Sequence, residues 1–111
     1  MEISTKELAR VNVVEVKGRV DHDSAPDLHK TLDELVQARR YNIVVDLSGV
    51  DYMSSGGLKA LLSAHKNTQG RQRGDVRLVG PSALVAETLK LVGFDRIFKI
   101  YPQLVDAVGS F

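Results

Sequence analysis

Apolar residues fall into two kinds of pattern along this chain. Short runs rich in β-branched residues read as strands; longer stretches with apolar positions three and four apart read as helices. Val11-Asn12-Val13-Val14-Glu15-Val16 is a strand that stops at Gly18. It pairs with a first strand over residues 3–8, across the short break at Ala9-Arg10. Asp23-Ser24-Ala25-Pro26 carries helix-start signals: Asp23 or Ser24 caps, and Pro26 suits the first turn. Leu28, Leu32, Leu35 and Val36 give that helix one apolar face, and Arg39-Arg40 sits in its last turn. Ile43-Val44-Val45-Asp46-Leu47 is short, almost continuously apolar and β-branched, as in a strand covered on both faces. A loop over residues 48–54 follows, and Gly57-Leu58 opens a second helix with Leu58, Leu61, Leu62 and His65 on one face. Residues 68–74 form an exposed loop before the strand Val76-Arg77-Leu78-Val79. Pro81-Ser82 starts a third helix with Leu84, Val85, Thr88, Leu89 and Val92 inward, ended by Gly93. Ile97-Phe98-Lys99-Ile100 is the last strand, and Leu104, Val105, Val108 and Phe111 mark a short final helix.

The order is strand, strand, then three helix–strand alternations and a closing helix. That predicts an α/β fold: a mixed, mostly parallel sheet of about five strands with helical crossovers and four helices. At 111 residues, with no linker or repeat, the chain is expected to be a single domain over residues 1–111. Function in such sheets gathers outside the carboxyl ends of the strands. That edge carries Asp21-His22-Asp23 and the stretch from Asp46 to Gly57.

Composition narrows the chemistry. Fifteen basic against fourteen acidic residues leave a net charge of +1, which argues against nucleic-acid binding by bulk charge and against a polybasic membrane surface. There are no cysteines, so disulfides, thiol nucleophiles and thiolate metal sites are excluded together. The polar start, Met1-Glu2-Ile3-Ser4, is unlike a signal peptide, and no apolar run approaches a membrane span. The expected setting is the cytoplasm.

The segment that stands out is Asp51-Tyr52-Met53-Ser54-Ser55-Gly56-Gly57-Leu58, which joins the central strand to a helix. Its plain reading is a capped helix, with Ser54 or Ser55 accepting a backbone N–H and the glycines allowing a tight turn. Its functional reading is a hydroxyl poised to receive a phosphoryl group, because a helix N-terminus favours phosphate. Hydrolysis by that serine would need a base and an orienting group, and the nucleophile-elbow pattern is absent. Asp21-His22-Asp23 offers metal-type ligands, but adjacent residues seldom converge on one ion, so a solvated loop leading to a cap is the better reading. No phosphate-cradling loop or dinucleotide fingerprint is present. Tyr52 and Met53 are core or rim residues, or the apolar part of a docking surface beside the hydroxyls.

Four stretches together resemble the STAS domain, specifically the small free-standing anti-sigma factor antagonists of bacteria. They are Gly18-Arg19-Val20-Asp21-His22-Asp23-Ser24-Ala25, Ile43-Val44-Val45-Asp46-Leu47-Ser48-Gly49-Val50, Tyr52-Met53-Ser54-Ser55-Gly56-Gly57-Leu58 and Leu91-Val92-Gly93-Phe94-Asp95-Arg96-Ile97-Phe98. Each is weak alone; in this order and spacing they make a specific match over nearly the whole chain. The resemblance implies that Ser55 is phosphorylated by a partner kinase. The residue before the acceptor is often aspartate in the family; here it is Ser54, an alternative acceptor. The implied partner surface comprises Asp21, His22, Asp23, Tyr52, Met53, Ser54, Ser55, Gly56 and Gly57.

The implied mechanism is partner switching. The unmodified protein, a monomer when free, binds an anti-sigma factor serine kinase and so frees a sigma factor. The kinase supplies ATP and magnesium and phosphorylates Ser55; a metal-dependent serine phosphatase reverses the step. The chain itself is then no enzyme and needs no cofactor or metal. The same fold admits a second role, a constitutive scaffold or subunit of a larger signalling or transport complex. A third reading, a receiver-like phospho-aspartate protein, would use Asp46 at the end of a central strand with Asp21 and Asp23 nearby. A fourth is a small independent hydrolase.

Overall fold

A computed structural model describes residues 1–111, apart from the side chain of Arg71. Five strands form one sheet in the order β1 (Glu2–Leu8), β2 (Val11–Val20), β3 (Asn42–Met53), β4 (Asp75–Val79) and β5 (Ile100–Tyr101). β1 and β2 are an antiparallel hairpin; every later pairing is parallel. The helices are α1 (Ala25–Gln37), α2 (Ser55–Thr68), α3 (Ala83–Leu91) and α4 (Leu104–Gly109). The expected class and element order are therefore both present.

Sequential strand order has a direct consequence. Parallel crossovers are right-handed, so a sheet that grows steadily in one direction keeps its crossover helices on one face. The larger core shows this: Val14, Val16, Ile43, Val45 and Leu78 of the sheet pack against Leu28 and Leu32 of α1, Leu58 and Leu61 of α2, and Val85 and Leu89 of α3. The other face is narrower. Val11, Val13, Val44 and Val79 are covered there by Ala107 of α4, with Tyr101, Leu104 and Val108 alongside. Ile43, Val44 and Val45 are consequently all fully buried, as a strand covered on both faces requires.

Several boundaries differ from the sequence expectation. β2 does not stop at Gly18 but continues to Val20, with Gly18 at φ +90° beside a register shift. A glycine supports that left-handed backbone at no steric cost, so the strand survives its own irregularity. The expected loop over residues 48–54 is strand as far as Met53. Gly49 packs on Lys17, whose Cγ would lie 2.8 Å from a Cβ there, so Ser48-Gly49 is a close strand approach and not a turn. α1 ends at Gln37, leaving Arg39-Arg40 beyond it, with Arg39 in the left-handed region. In α3 only Val85 and Leu89 are buried; Leu84 and Val92, expected inward, are exposed. The last strand, expected over residues 97–100, is displaced to Ile100–Tyr101, because a 3-10 turn over Phe94–Arg96 follows Gly93 and sends Phe94 and Phe98 into the core. The helical part of the expected loop before β4 is α2 running on to Thr68, then a 3-10 turn at Gly70–Gln72. His65 lies at the core boundary, its ring 4.9 Å from that of Phe98.

Candidate functional site

β2 and β3 end side by side, with Val20 paired to Met53. The loops leaving them, residues 21–24 and Ser54, therefore emerge together at the carboxyl edge of the sheet. The Ser54 amide donates to the Val20 carbonyl at 2.8 Å, which ties one loop to the other.

The first loop is closed on itself. One carboxylate oxygen of Asp21 accepts the amides of Asp23 at 3.1 Å and Ser24 at 3.0 Å. The Ser24 hydroxyl accepts the Asp21 amide at 2.9 Å, and its single proton faces both the Arg19 carbonyl and the Asp21 carboxylate. The Ser24 amide, then its hydroxyl, lower the Asp21 pKa from its ordinary 3.8, helped by the Asp23 amide and the Arg19 charge. Ser24 precedes α1 but makes no side-chain cap; its hydroxyl is committed to the turn instead. His22 and Asp23 are left exposed.

The second loop is built by two serines and two glycines. Ser54 is extended, at φ −79° and ψ 169°, and its Oγ accepts the Gly57 amide at 3.2 Å, the ordinary N-cap geometry. Ser55 is the first residue of α2; it is exposed, and its hydroxyl makes no hydrogen bond among the described residues. Gly57 lets α2 sit directly on the strand ends. A Cβ there would overlap Met53 Sδ and lie 2.7 Å from Val20 Cγ1. Gly56 faces α1, where a Cβ would meet that of Ala25 at 3.1 Å.

The apolar pair before the serines divides. Tyr52 is 39% exposed, with the Arg19 guanidinium 4.2 Å from its ring centroid. Met53, expected as part of the docking surface, is a core residue, 5% exposed beneath Gly57. Its role is to support the loop from below. Asp46 corrects the receiver-like expectation. It lies within β3 rather than at its end, is buried, and accepts both the amide and the hydroxyl of Ser48, at 3.0 and 2.7 Å.

One part of this surface was not predicted from sequence. Beside the second loop, α1 and α2 diverge into an open groove of about 480 Å³ lined by His22, Ala25, Pro26, His29, Gly56, Lys59, Ala60 and Ser63. The signal was present as small residues at helical spacing, Gly56-Ala60-Ser63, opposite Ala25-Pro26.

The sheet order, the paired loops and the capped helix together match a known domain. The STAS domain model covers residues 2–107, and the chain belongs to that family. Over 99 residues, 88% of this chain and 79% of the relative, it is 29% identical to the anti-sigma-F factor antagonist RsfB of Mycobacterium tuberculosis. The solved structure of a candidate anti-sigma factor antagonist from Thermotoga maritima is 25% identical, with a TM-score of 0.90 over 97% of this chain and 92% of that one. SpoIIAA, a Bacillus cell fate determinant, shares the fold. Its unphosphorylated form has a TM-score of 0.85 at 16% identity over 96% and 93% of the two chains. Its phosphorylated form has 0.78 at 14% identity over 98% of each.

Proposed function

We propose that this chain is an anti-sigma factor antagonist, a regulatory binding protein switched at Ser55. Unphosphorylated, it binds an anti-sigma factor serine kinase through the two loops at the carboxyl edge, and the sigma factor is released. The kinase, with its own ATP and magnesium, transfers a phosphoryl group to the Ser55 hydroxyl; a metal-dependent serine phosphatase removes it. The chain is substrate and ligand in this cycle, not catalyst.

The observation that carries the reading is the division of labour between the two serines. Ser54 is engaged as the cap of α2, whereas the Ser55 hydroxyl is exposed and uncommitted. That favours Ser55 over Ser54 as acceptor. A phosphate there also meets the free amides and positive end of a fourteen-residue helix. The names of the relatives support the antagonist role, and SpoIIAA occurs in both phosphorylated and unphosphorylated forms within this fold.

The energetics suit a switch without refolding. Phosphorylation adds about −1.5 to −2 charges at neutral pH. Weakening a complex a hundredfold needs about 2.8 kcal/mol. A single like-charge contact near 4 Å supplies on the order of 4 kcal/mol at an effective dielectric of 20, before screening by salt.

Phosphosite-resolved mass spectrometry of the protein from its own cells, growing and stressed, tests this. The expected result is a phosphate on Ser55 whose occupancy changes with condition. The Ser55→Ala variant is expected to keep its partner and take no phosphate. A phosphate that persists on Ser54 in that variant, or none on either serine at good coverage, overturns the proposal.

A further inference from the structure

The groove between α1 and α2 begins at Gly56, immediately beside Ser55, and its charge is one-sided. Three ionisable side chains line it, His22 and His29 from the first loop and α1, and Lys59 from α2. All three are basic and exposed. The remaining lining is small or apolar: Ala25, Pro26, Gly56, Ala60 and Ser63. Asp23 and Asp27 are exposed nearby but do not line it. Asp33 enters only further along the seam, beside Val36 and Asn67, where the helices have closed up and leave no room for water. An apolar floor under a basic rim is complementary to an apolar side chain flanked by carboxylates.

Lys59 connects this groove to the proposed switch. It follows Ser55 by four residues in the same helix, so the two lie on one face with Cβ atoms roughly 5–6 Å apart. Helical side chains lean toward the N-terminus, which brings the Lys59 ammonium back toward the turn that holds Ser55. Lys59 gives the rim its one permanent positive charge. A phosphate of about −1.5 to −2 on Ser55 would more than cancel it.

We propose that the α1–α2 groove is the docking site for an acidic, apolar-tipped segment of the partner protein. We propose further that a phosphate on Ser55 closes it by engaging Lys59 and reversing the charge of the rim. The second half rests on Ser55 being the acceptor; the first does not. This gives the phosphate a defined target within the chain, beyond repelling whatever lies opposite.

The test needs neither kinase nor natural partner. The probe is a short capped peptide with a central leucine between glutamates, titrated into the isotope-labelled protein and followed by amide chemical shifts. Glutamine and lysine versions of the peptide serve as controls. The glutamate peptide is expected to move the amides of Ala25, Gly56 and Ala60, and the glutamine peptide to bind at least about tenfold more weakly. Lys59→Glu is expected to lose at least about tenfold in affinity and Lys59→Arg to stay within about twofold, since only the former reverses the charge. Protein with phosphoserine installed genetically at position 55 is expected to bind the glutamate peptide about tenfold or more weakly. Shifts confined to other surfaces, equal binding of the glutamine peptide, or an unaffected Lys59→Glu variant overturn the docking site. Groove amides that shift with protein concentration alone would assign the surface to a second copy of the chain instead. Undiminished binding by the phosphoserine protein overturns the gate while leaving the groove. Failure to find Ser55 phosphate in cells is a separate result, read by mass spectrometry.

Discussion

The two loops at the carboxyl edge sit side by side on paired strands, yet they use their polar groups in opposite ways. In residues 21–24 the Asp21 carboxylate, the Ser24 hydroxyl and three backbone amides satisfy one another, while the His22 and Asp23 side chains face solvent. In the second loop, Ser54 alone completes the structure and the next hydroxyl is left over. A loop that spends its hydrogen bonds on itself is a rigid edge; a loop with a spare nucleophilic oxygen at a helix N-terminus is a place where chemistry can be done to it. The contrast teaches that a reactive-looking carboxylate, Asp21, can be spent on a turn, while a bland stretch, Ser-Ser-Gly-Gly, can leave a hydroxyl free at a helix start.

The largest effect expected from disturbing this arrangement is at Gly57. The packing leaves no room for a Cβ at this position, so Gly57→Ala must displace Met53 or Val20. The Met53 thioether bends readily; the Val20 methyl, on a stiff β-branched side chain, does not. Overpacking of this kind costs about 1–3 kcal/mol, against a gain in helix propensity of at most about 1 kcal/mol. The expected outcome is a lower melting temperature, by several degrees, and disturbed amide shifts at both loops. Gly56→Ala, whose nearest neighbour is the Ala25 methyl at 3.1 Å, is expected to be much milder. Equal melting temperatures for the two variants would show that α2 is not held against the strand ends by Gly57.

The next effect separates the serines directly. Ser54→Ala removes a side-chain cap and is expected to cost about 1 kcal/mol. Ser55→Ala removes an exposed, unbonded hydroxyl and is expected to change stability by no more than about 0.5 kcal/mol. Chemical denaturation of the two variants reads this difference without reference to any partner. A Ser55→Ala variant as destabilised as Ser54→Ala would mean that the hydroxyls exchange roles, and the assignment of Ser55 as the free one would fail.

Which serine caps was not legible in the sequence, because either fits the helix start; the backbone register at Met53 and Ser54 decides it. The fold was legible because its order rests on contrasts of period, strands of β-branched residues against helices with one apolar face. Where that contrast fades, so did the reading. The first turn of α3 is apolar all round, Ala83-Leu84-Val85-Ala86, so its inner face is not marked there, and Leu84, like Leu91 at the helix end, is exposed, at 59% and 80%. Ser48-Gly49 carries the residues of a turn but lies inside β3, where Gly49 pairs with Lys17 of β2 and leaves its side chain room. The groove was hidden for a similar reason. It exists only because right-handed crossovers set α1 beside α2, which brings Ala25 opposite Gly56.

The smallest effect concerns the closed loop and is a matter of pH. The folded Asp21 carboxyl titrates below its ordinary 3.8, chiefly because the Ser24 amide and then the Ser24 hydroxyl donate to the ionised form. A depressed carboxylate stabilises the fold fully above the unfolded-state value and loses that contribution as pH falls through the folded-state value. The loop is therefore expected to hold its order throughout the neutral range and to loosen only in strong acid. Carboxyl-carbon shifts of Asp21, followed by NMR through an acid titration, should give a midpoint below 3.8, with the Ser24 amide shift moving in step. Ser24→Ala removes the hydroxyl but keeps the amide, so the midpoint should rise only part of the way back. An unchanged midpoint would place the hydroxyl's proton on the Arg19 carbonyl alone. The hydroxyl would then brace the chain on either side of Asp21 without touching its charge.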